Sequence, residues 1–389
     1  MSDNMDNITK ISPKKPRKIW RFVVLGIAVL LVSTALVLYL FAEELNLDAV
    51  GRWFRYMSVR EQEDYGSFAF DAHSSNRYAL FDDGLAIGSV GGVETHREEG
   101  TVKYRLGASM TEAALKTGKD LLLCYDVGGR SLMVLHAEKG KLLELTTEGS
   151  IYDADVSYKD TFCTSTVESG YKTVLRVYNG KQKEIYRWFS ASAFMPVCAV
   201  SPDGDHLAAA SVGQQGGTFE STLHVFRTDS EDTAVTVPLG EELVYDLRFV
   251  GDERICVIGS SRISWYSVSG EKIGSHELQP QYLADYDMYG DGFVLLNVNK
   301  YITGDASRVV SVDHTGKVLG QLELEEPVLN ISACGKYAAV LTAKRLIICR
   351  RDLSIYAEAE NIWMASDVLM RKDGTAIMVA GSSADLYIP

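Results

Sequence analysis

The chain has 389 residues, of which 46% are hydrophobic and 23% charged, and these proportions are typical of a folded protein. Its formal charge is −13, but residues 1–21 hold six basic and two acidic residues, which leaves 33 basic and 50 acidic residues elsewhere. Residues 22–389 are therefore strongly acidic, which excludes a nucleic-acid-binding role for them, because such binding requires clustered positive charge.

Residues 1–21 are polar and contain Pro13 and Pro16, which predicts a disordered tail. Residues 22–42, FVVLGIAVLLVSTALVLYLFA, form an uncharged apolar run of 21 residues. Because about 20 apolar residues in a helix cross the hydrocarbon core of a bilayer, we expect a transmembrane helix here. Basic residues before the run and Glu43 and Glu44 after it place the tail in the cytoplasm and the large domain outside. The sequence therefore predicts a single-pass protein of the cell membrane.

A cleaved signal peptide is the alternative interpretation of this run. Its apolar region would span 7–15 residues and end at a small-x-small site. Here the apolar run is longer, and Leu40 stands where a small residue is needed. No cysteine follows closely, so a lipoprotein anchor is not supported either. A retained anchor is the favoured interpretation.

Residues 43–65 are predicted to form a juxtamembrane helix or stalk. Leu47, Val50, Phe54 and Met57 recur at spacings of three and four, which is the helical period. Trp53 and the neighbouring arginines suit a position near lipid headgroups or against the underside of the domain.

From residue 66 the pattern changes to short alternating or β-branched runs separated by Gly, Asp, Asn and Ser, which predicts many short strands. One set of hairpin turns recurs at Gly100, Gly140, Gly180, Ser230, Gly270, Gly316 and Asp352, at intervals of 36 to 50 residues. A second set of turns lies at Gly84, Gly118, Asp160, Gly204, Gly251, Asp291, Gly335 and Gly374. A period near 40 with four strands per unit is the signature of a propeller blade.

The number of blades follows from the two sets of turns. Eight turns of the second set and a commonest interval of 40 residues favour an all-β, eight-bladed β-propeller over residues 66–389, with seven blades as the alternative. The last unit lacks a fourth strand, and SFAFDA at residues 67–72 has no unit of its own. We therefore expect the first strand to complete the last blade, which removes exposed strand edges.

Some of these residues resemble known propeller repeats. SPDGDHLAAAS, residues 201–211, is similar to the turn of WD-type and TolB-type repeats, and the units at Gly140 and Gly316 are similar to quinoprotein-like repeats. The complete arrangement of basic tail, single span and eight-unit β domain resembles a bacterial family of single-pass membrane proteins of unknown function. The resemblance implies a fold and a location, and it supplies no catalytic residue. The Gly-His and Trp-Asp pairs of true WD repeats are absent.

No motif for catalysis, metal binding or cofactor binding is found. The seven histidines show no HxH or HExxH spacing, there is no GxSxG sequence, and Asp-Gly pairs such as Asp203-Gly204 are explained by tight turns rather than calcium. The six cysteines lie in apolar runs without CxxC spacing, which favours buried free thiols over disulfides. The sequence therefore predicts no cofactor, no metal and no enzymatic activity.

Three classes of function remain. We expect a membrane-tethered, extracytoplasmic platform that binds a protein or cell-wall partner, because loops on a rigid scaffold suit recognition. The alternatives are a sensor or accessory subunit of an envelope complex and an enzyme with a pocket on the propeller axis. A sensor needs a cytoplasmic output module, and a tail of 21 residues is too short to fold into one.

Two long connections between second and third strands are the predicted binding site. They are residues 212–221, VGQQGGTFES, and 299–308, NKYITGDASR, which account for the longer units. Long loops cost little closure entropy and commonly carry function, and aromatic residues are enriched at interfaces. Neutral insertion is the alternative explanation. The predicted partner-binding residues are Gln214, Gln215, Phe219, Tyr301, Asp305 and Arg308.

Overall fold

A computed structural model describes residues 19–40, 47–57, 65–215, 217–230, 234–301, 307–360, 362 and 364–389, with the backbone alone for 19–22, 34–40, 47 and 215. The chain divides into two compact units, Met1–Val59 and Arg60–Pro389. The predicted tail lies mostly outside the described residues.

The first unit contains helices α1, Ile19–Leu40, and α2, Leu47–Tyr56. Helix α1 begins three residues before the predicted span. Its side chains are described from residue 23 to 33, and the large aliphatic ones among them are between 47% and 69% exposed. Over the residues that are described, no helix meets the length and apolarity needed to cross a membrane.

The second unit consists of 32 strands. In chain order the first sixteen are β1 Ser67–Ala69, β2 Arg77–Phe81, β3 Gly84–Ser89, β4 Gly92–His96, β5 Val102–Gly107, β6 Ala113–Thr117, β7 Leu121–Asp126, β8 Ser131–His136, β9 Gly140–Thr146, β10 Ile151–Val156, β11 Phe162–Glu168, β12 Tyr171–Tyr178, β13 Glu184–Ser190, β14 Phe194–Val200, β15 His206–Gln215 and β16 Thr218–Arg227. The others are β17 Val235–Gly240, β18 Val244–Phe249, β19 Arg254–Gly259, β20 Arg262–Ser267, β21 Lys272–Glu277, β22 Tyr282–Gly290, β23 Phe293–Asn299, β24 Ser307–Asp313, β25 Val318–Leu324, β26 Val328–Cys334, β27 Tyr337–Thr342, β28 Arg345–Arg350, β29 Ile355–Glu360, β30 Ala365–Met370, β31 Ala376–Ala380 and β32 Ser383–Tyr387.

These strands form eight antiparallel sheets of four, so the fold is an all-β, eight-bladed β-propeller, as the turn spacing predicted. Blades 1 to 7 are built from consecutive strands, beginning with β2–β5 and ending with β26–β29. Both predicted sets of turns lie where expected: Gly84 and its equivalents join first to second strands, and Gly100 and its equivalents join third to fourth strands. The first strands of neighbouring blades contact one another and surround the axis.

The eighth blade closes the ring with the two ends of the domain. Its order is β1-β32-β31-β30, and Ser67 pairs with Asp385 and Ala69 with Ser383. Strand β1 is shorter than the six residues predicted, but the expected closure is confirmed. Phe68 is 1% exposed and packs in a cluster with Ile377 of the last blade.

The hydrophobic core lies between blades rather than at the axis. Each cluster of buried residues joins side chains of neighbouring sheets; for example, Ala208 and Leu223 of blade 4 pack with Leu247 and Ile255 of blade 5. Five of the six cysteines are buried and one is half-buried, and all six are free, which confirms the interpretation as core thiols.

Candidate functional site

The first strands carry a belt of polar side chains around the propeller axis. Asp153 and Asp155 lie on β10, Asp285 and Asp287 on β22, and each pair alternates with residues that face the core. Such alternation is expected of a strand with one face toward an inter-blade core and the other toward the axis. A polar belt of this kind was not predicted from the sequence.

Six hydrogen bonds connect this belt to the next blade along the chain. Each runs from a backbone N–H of the following first strand to a side-chain oxygen: Cys198 to Asp153 Oδ2 at 2.9 Å, Val200 to Asp155 Oδ2 at 3.1 Å, Ile331 to Asp285 Oδ2 at 3.2 Å, Ala333 to Asp287 Oδ2 at 2.9 Å, Val368 to Asn330 Oδ1 at 2.9 Å and Met370 to Ser332 Oγ at 3.0 Å. These bonds satisfy donors that face away from their own sheet. We call the six acceptor residues the inter-blade clasp.

One ion pair crosses the axis. Lys116 Nζ of blade 2 lies 3.7 Å from Asp246 Oδ1 of blade 5, and these blades are not neighbours. The Asp246 carboxylate holds the pKa of Lys116 well above its usual value, so the amine is protonated. Tyr286 donates a hydrogen bond to Asp246 Oδ2 at 3.4 Å. Lys116 thus neutralises part of the negative charge of the belt.

Burial raises the pKa of two belt carboxyl groups into the neutral range. It brings Asp153 to about 6, although the nearby Lys116 lowers this pKa. It also brings Asp285 to about 6, although the backbone N–H groups of Ile331 and Tyr286 lower this pKa. Tyr125 donates a hydrogen bond to Asp153 Oδ1 at 2.8 Å. Perturbed carboxyl groups are frequent at functional sites, but the clasp gives these a structural role as well.

A cavity of about 480 Å³ opens beside the belt, at the end of the axis that carries the turns between first and second strands. Its polar lining includes Arg248 and Asp287, and the Arg248 guanidinium stacks 3.6 Å from the ring of Tyr289. Tyr158 on its rim is 64% exposed. Burial raises the pKa of Cys334, which also lines the cavity, to about 11, so this thiol stays protonated and is a poor nucleophile. An arginine, a carboxylate and tyrosines thus line one cavity at this end of the propeller.

The opposite end of the propeller carries the turns between second and third strands and the predicted partner-binding residues. The predicted loop at residues 212–221 is wrong: β15 and β16 stay paired as far as Gln215 and Thr218, so eight of these ten residues belong to strands. The reason is that two glycines suit a tight hairpin turn, and Gly217 has φ of +94°. The insertion is therefore a hairpin that extends the two strands.

The six predicted residues divide by their surroundings. Gln214 and Phe219 face each other in the extended hairpin, and Phe219 is 66% exposed. Gln215 follows Gln214 in β15, and Asp305 lies outside the described residues. Tyr301 is 52% exposed, with Lys300 Nζ 5.3 Å from its ring. Arg308 lies on β24 and forms an ion pair with Glu323 of its own blade, so its charge is already engaged.

Exposed apolar side chains that the sequence analysis did not identify lie at this same end. Because the sheets are antiparallel, each first strand begins beside the second-to-third turn of its blade. Five exposed apolar residues stand at or next to the starts of the first strands of blades 5 to 8: Leu243, Tyr245, Tyr282, Leu329 and Met364, each between 45% and 85% exposed. Phe219 and Tyr301 lie at the same end of the propeller. We call these seven residues the apolar end face. The corresponding edge of blades 1 and 2 is polar, with Arg77 3.4 Å from Glu112.

The histidines and carboxylates do not form a metal site within the described part of the chain: no group of three or more His, Cys, Asp or Glu side chains there is placed to hold an ion. Several histidines have local partners instead. His224 Nε2 lies 2.9 Å from Ser211 Oγ, and His96 Nε2 lies 2.8 Å from Glu94 Oε1. The sequence Asn330-Ile331-Ser332, which has the pattern of a glycosylation site, supplies two clasp acceptors.

Comparisons with known proteins agree with this architecture. The sequence profile described as "Family of unknown function (DUF5711)" matches residues 55–358. Among solved structures, BamB from Moraxella catarrhalis is similar with a TM-score of 0.52 and 14% identity, over 82% of this chain and 95% of that one. Saccharomyces cerevisiae Sqt1 is similar with a TM-score of 0.55 and 8% identity, over 84% and 97%. No curated protein sequence matches. At these identities the structural likeness establishes the fold alone.

Proposed function

The chain belongs to the DUF5711 family of unknown function, and from this premise we propose that it is a membrane-tethered platform whose propeller binds a protein partner through its apolar end face. The single observation that carries the proposal is the exposure of seven large apolar side chains at one end of blades 4 to 8. Soluble domains rarely expose apolar side chains in such a group unless the surface is used for binding.

The composition of the apolar end face favours a protein over a polysaccharide. Tyrosine, phenylalanine and methionine are enriched in the centres of protein interfaces, where they bury much apolar area. Phe219 stands on a paired hairpin, so its position is set by strand hydrogen bonds rather than by a loop. A cell-wall polymer remains the second class of partner for this face.

The membrane tether is inferred from the sequence around α1. The apolar run of 21 residues has the length of a bilayer span, and the flanking charges favour a cytoplasmic N-terminus with the propeller outside. The exposed aliphatic side chains of α1 are consistent with a lipid environment. Protease added to intact cells should then degrade the propeller and leave the tail protected. A mature chain that starts near residue 43 and is free in the medium would refute the tether.

Site-directed photo-crosslinking in intact membranes tests the binding surface. A photoreactive residue at Phe219, Tyr245 or Tyr282 should capture the same protein, because these positions share one end of the propeller. Tyr158 is the matched control, since it is similarly exposed but lies at the opposite end. Capture from Tyr158 in place of the other three would assign binding to the cavity end. Replacing residues 213–220 by a short Gly-Ser turn should weaken capture from Tyr245 and Tyr282 while the fold is retained.

The cavity beside Arg248 favours a second candidate function, the binding of a small molecule at the axis. Arg248, Asp287 and Ser332 offer charged and hydroxyl groups inside a half-enclosed, largely apolar pocket of about 480 Å³. An accessory or sensory subunit, or an enzyme, would use this end of the domain. Tyr158→Ala should weaken the binding of such a ligand to the cavity and leave the capture of a protein partner unchanged.

A further inference from the structure

Helix α2 carries its apolar side chains on an exposed face. Val50, Trp53, Phe54 and the following Met57 are 53%, 49%, 65% and 53% exposed. Their spacings of three and four residues place them in one stripe of roughly 100° around the helix. Trp53 and Phe54 contact each other edge-to-face, with ring centroids 4.9 Å apart. The stripe is thus a continuous apolar surface.

The opposite face of α2 is the buried one. Arg52 is 5% exposed and Tyr56 is fully buried, and both lie on the side of the helix away from the stripe. An amphipathic helix of a globular protein normally buries its apolar stripe and exposes its polar face. Here the arrangement is reversed, so the stripe is available to an apolar surface outside the folded chain.

We propose that α2 lies in the membrane interface, with its stripe of Val50, Trp53, Phe54 and Met57 inserted at the boundary between lipid headgroups and acyl chains. The inference rests on the proposed tether and extends it. Helix α1 ends at Leu40 and α2 begins at Leu47, so six residues connect them. Six residues span at most about 20 Å, which keeps α2 close to the surface of a bilayer crossed by α1.

The residues of α2 suit a lipid surface better than a protein groove. Tryptophan and phenylalanine are the side chains that interfacial helices place at the headgroup level, and tryptophan is enriched there because its ring is amphipathic. The helix would then give the chain a second contact with the bilayer in addition to the tether.

Quenching of tryptophan fluorescence by brominated lipids tests this inference on the full chain. The protein is reconstituted into vesicles of phosphatidylcholine and phosphatidylglycerol at a ratio of 3:1, with and without bromine on the acyl chains. Trp20→Phe serves as the background, because Trp20 lies beside the proposed span. Brominated lipid should reduce the emission of this variant, and the reduction should vanish when Trp53→Phe is added. The matched control adds Trp188→Phe, in β13 of the propeller, and should keep the reduction.

Two results would overturn the inference. If brominated lipid leaves the emission of Trp53 unchanged, the stripe does not enter the bilayer. A blue-shifted, unquenched emission that depends on protein concentration would assign the stripe to a second copy of the chain. The tether is tested separately by alkaline carbonate extraction of the same vesicles. Release of the protein from the vesicles by carbonate would refute the tether. Quenching observed before the carbonate treatment would still support α2 as a lipid-binding helix.

Discussion

Replacing Asp287 by alanine removes the acceptor of one clasp hydrogen bond, from the Ala333 N–H of the next blade at 2.9 Å. It also removes the bond from the Tyr289 N–H at 2.6 Å and the weaker bond from the Ser332 hydroxyl at 3.4 Å. Ala333 is 2% exposed, so its amide loses its partner in a mostly buried position. An unpaired buried donor costs about 1–3 kcal/mol. Burial raises the pKa of Asp287, so removal of this disfavoured charge offsets part of the cost. We expect a net destabilisation of about 2 kcal/mol.

Asp287→Asn is the matched control. Its amide oxygen can still accept the Ala333 N–H, and the buried charge is gone, but its amide nitrogen cannot accept the Tyr289 N–H that Asp287 Oδ1 accepts at 2.6 Å. Its stability should therefore lie between those of the parent protein and Asp287→Ala. Hydrogen exchange measured by mass spectrometry on the peptide that contains Ala333 reports the local effect. A loss of 2 kcal/mol corresponds to exchange about 30-fold faster. Unchanged exchange in Asp287→Ala, or equal acceleration in both variants, would refute the role assigned to the clasp.

Three further predictions concern stability and are measured by thermal unfolding. Burial raises the pKa of Asp153 from 3.8 to about 6, so the folded state binds more protons and stability should fall as the pH rises from 4 to 6; Asp153→Asn should flatten this fall, and an unaltered slope would contradict the assignment. Phe68→Ala should cost about 3–5 kcal/mol, because Phe68 is buried where the ring closes; a smaller loss than 1 kcal/mol would mean that closure depends little on β1. A Cβ at Gly316 would lie 2.2 Å from the Ser275 carbonyl oxygen, whereas one at Gly251 meets open space, and both have positive φ. Gly316→Ala should therefore destabilise more than Gly251→Ala, and equal losses would show that backbone conformation alone decides the cost.

The propeller and its closure could be predicted because turns leave a strong local signal. Positions such as Gly84, Gly204 and Gly316 join strands that must reverse direction within a few residues, and glycine or aspartate recurs there. The recurrence gives the period, and an unmatched strand at the start gives the closure. Nothing in this signal depends on contacts between distant residues.

The clasp could not be predicted, because its hydrogen bonds join first strands of different blades. Asp153-x-Asp155 and Asp285-x-Asp287 are visible in the sequence, but their partners lie 45 or 46 residues further along the chain. An alternating aspartate pair in a strand is a local pattern that also suits a solvent-exposed face. Its recurrence at the same position of the first strands of blades 3 and 6 is the signal that was available and missed.

The extended hairpin was mistaken for a loop for a similar reason. Residues 212–221 are mostly polar or glycine, and a hairpin that projects beyond its sheet has no buried side to impose alternation. Gly217 marks the true turn. The apolar end face was missed because Tyr245, Tyr282 and Leu329 read as strand residues, and only the three-dimensional arrangement shows that they share one end of the domain.

The pairing of β1 with β32 determines when the propeller is completed during synthesis. Blades 1 to 7 contain only consecutive strands and can form as the chain emerges, whereas β1 waits for a partner more than 300 residues later. At roughly 5–20 residues per second, the ribosome needs about 15–60 s to supply it. During that interval Phe68 lacks Ile377, and the outer faces of the first and seventh blades are uncovered. Strand β32 thus decides whether the propeller closes. A chain that stops just before β32 leaves β1 without a partner, and its ring of blades stays open.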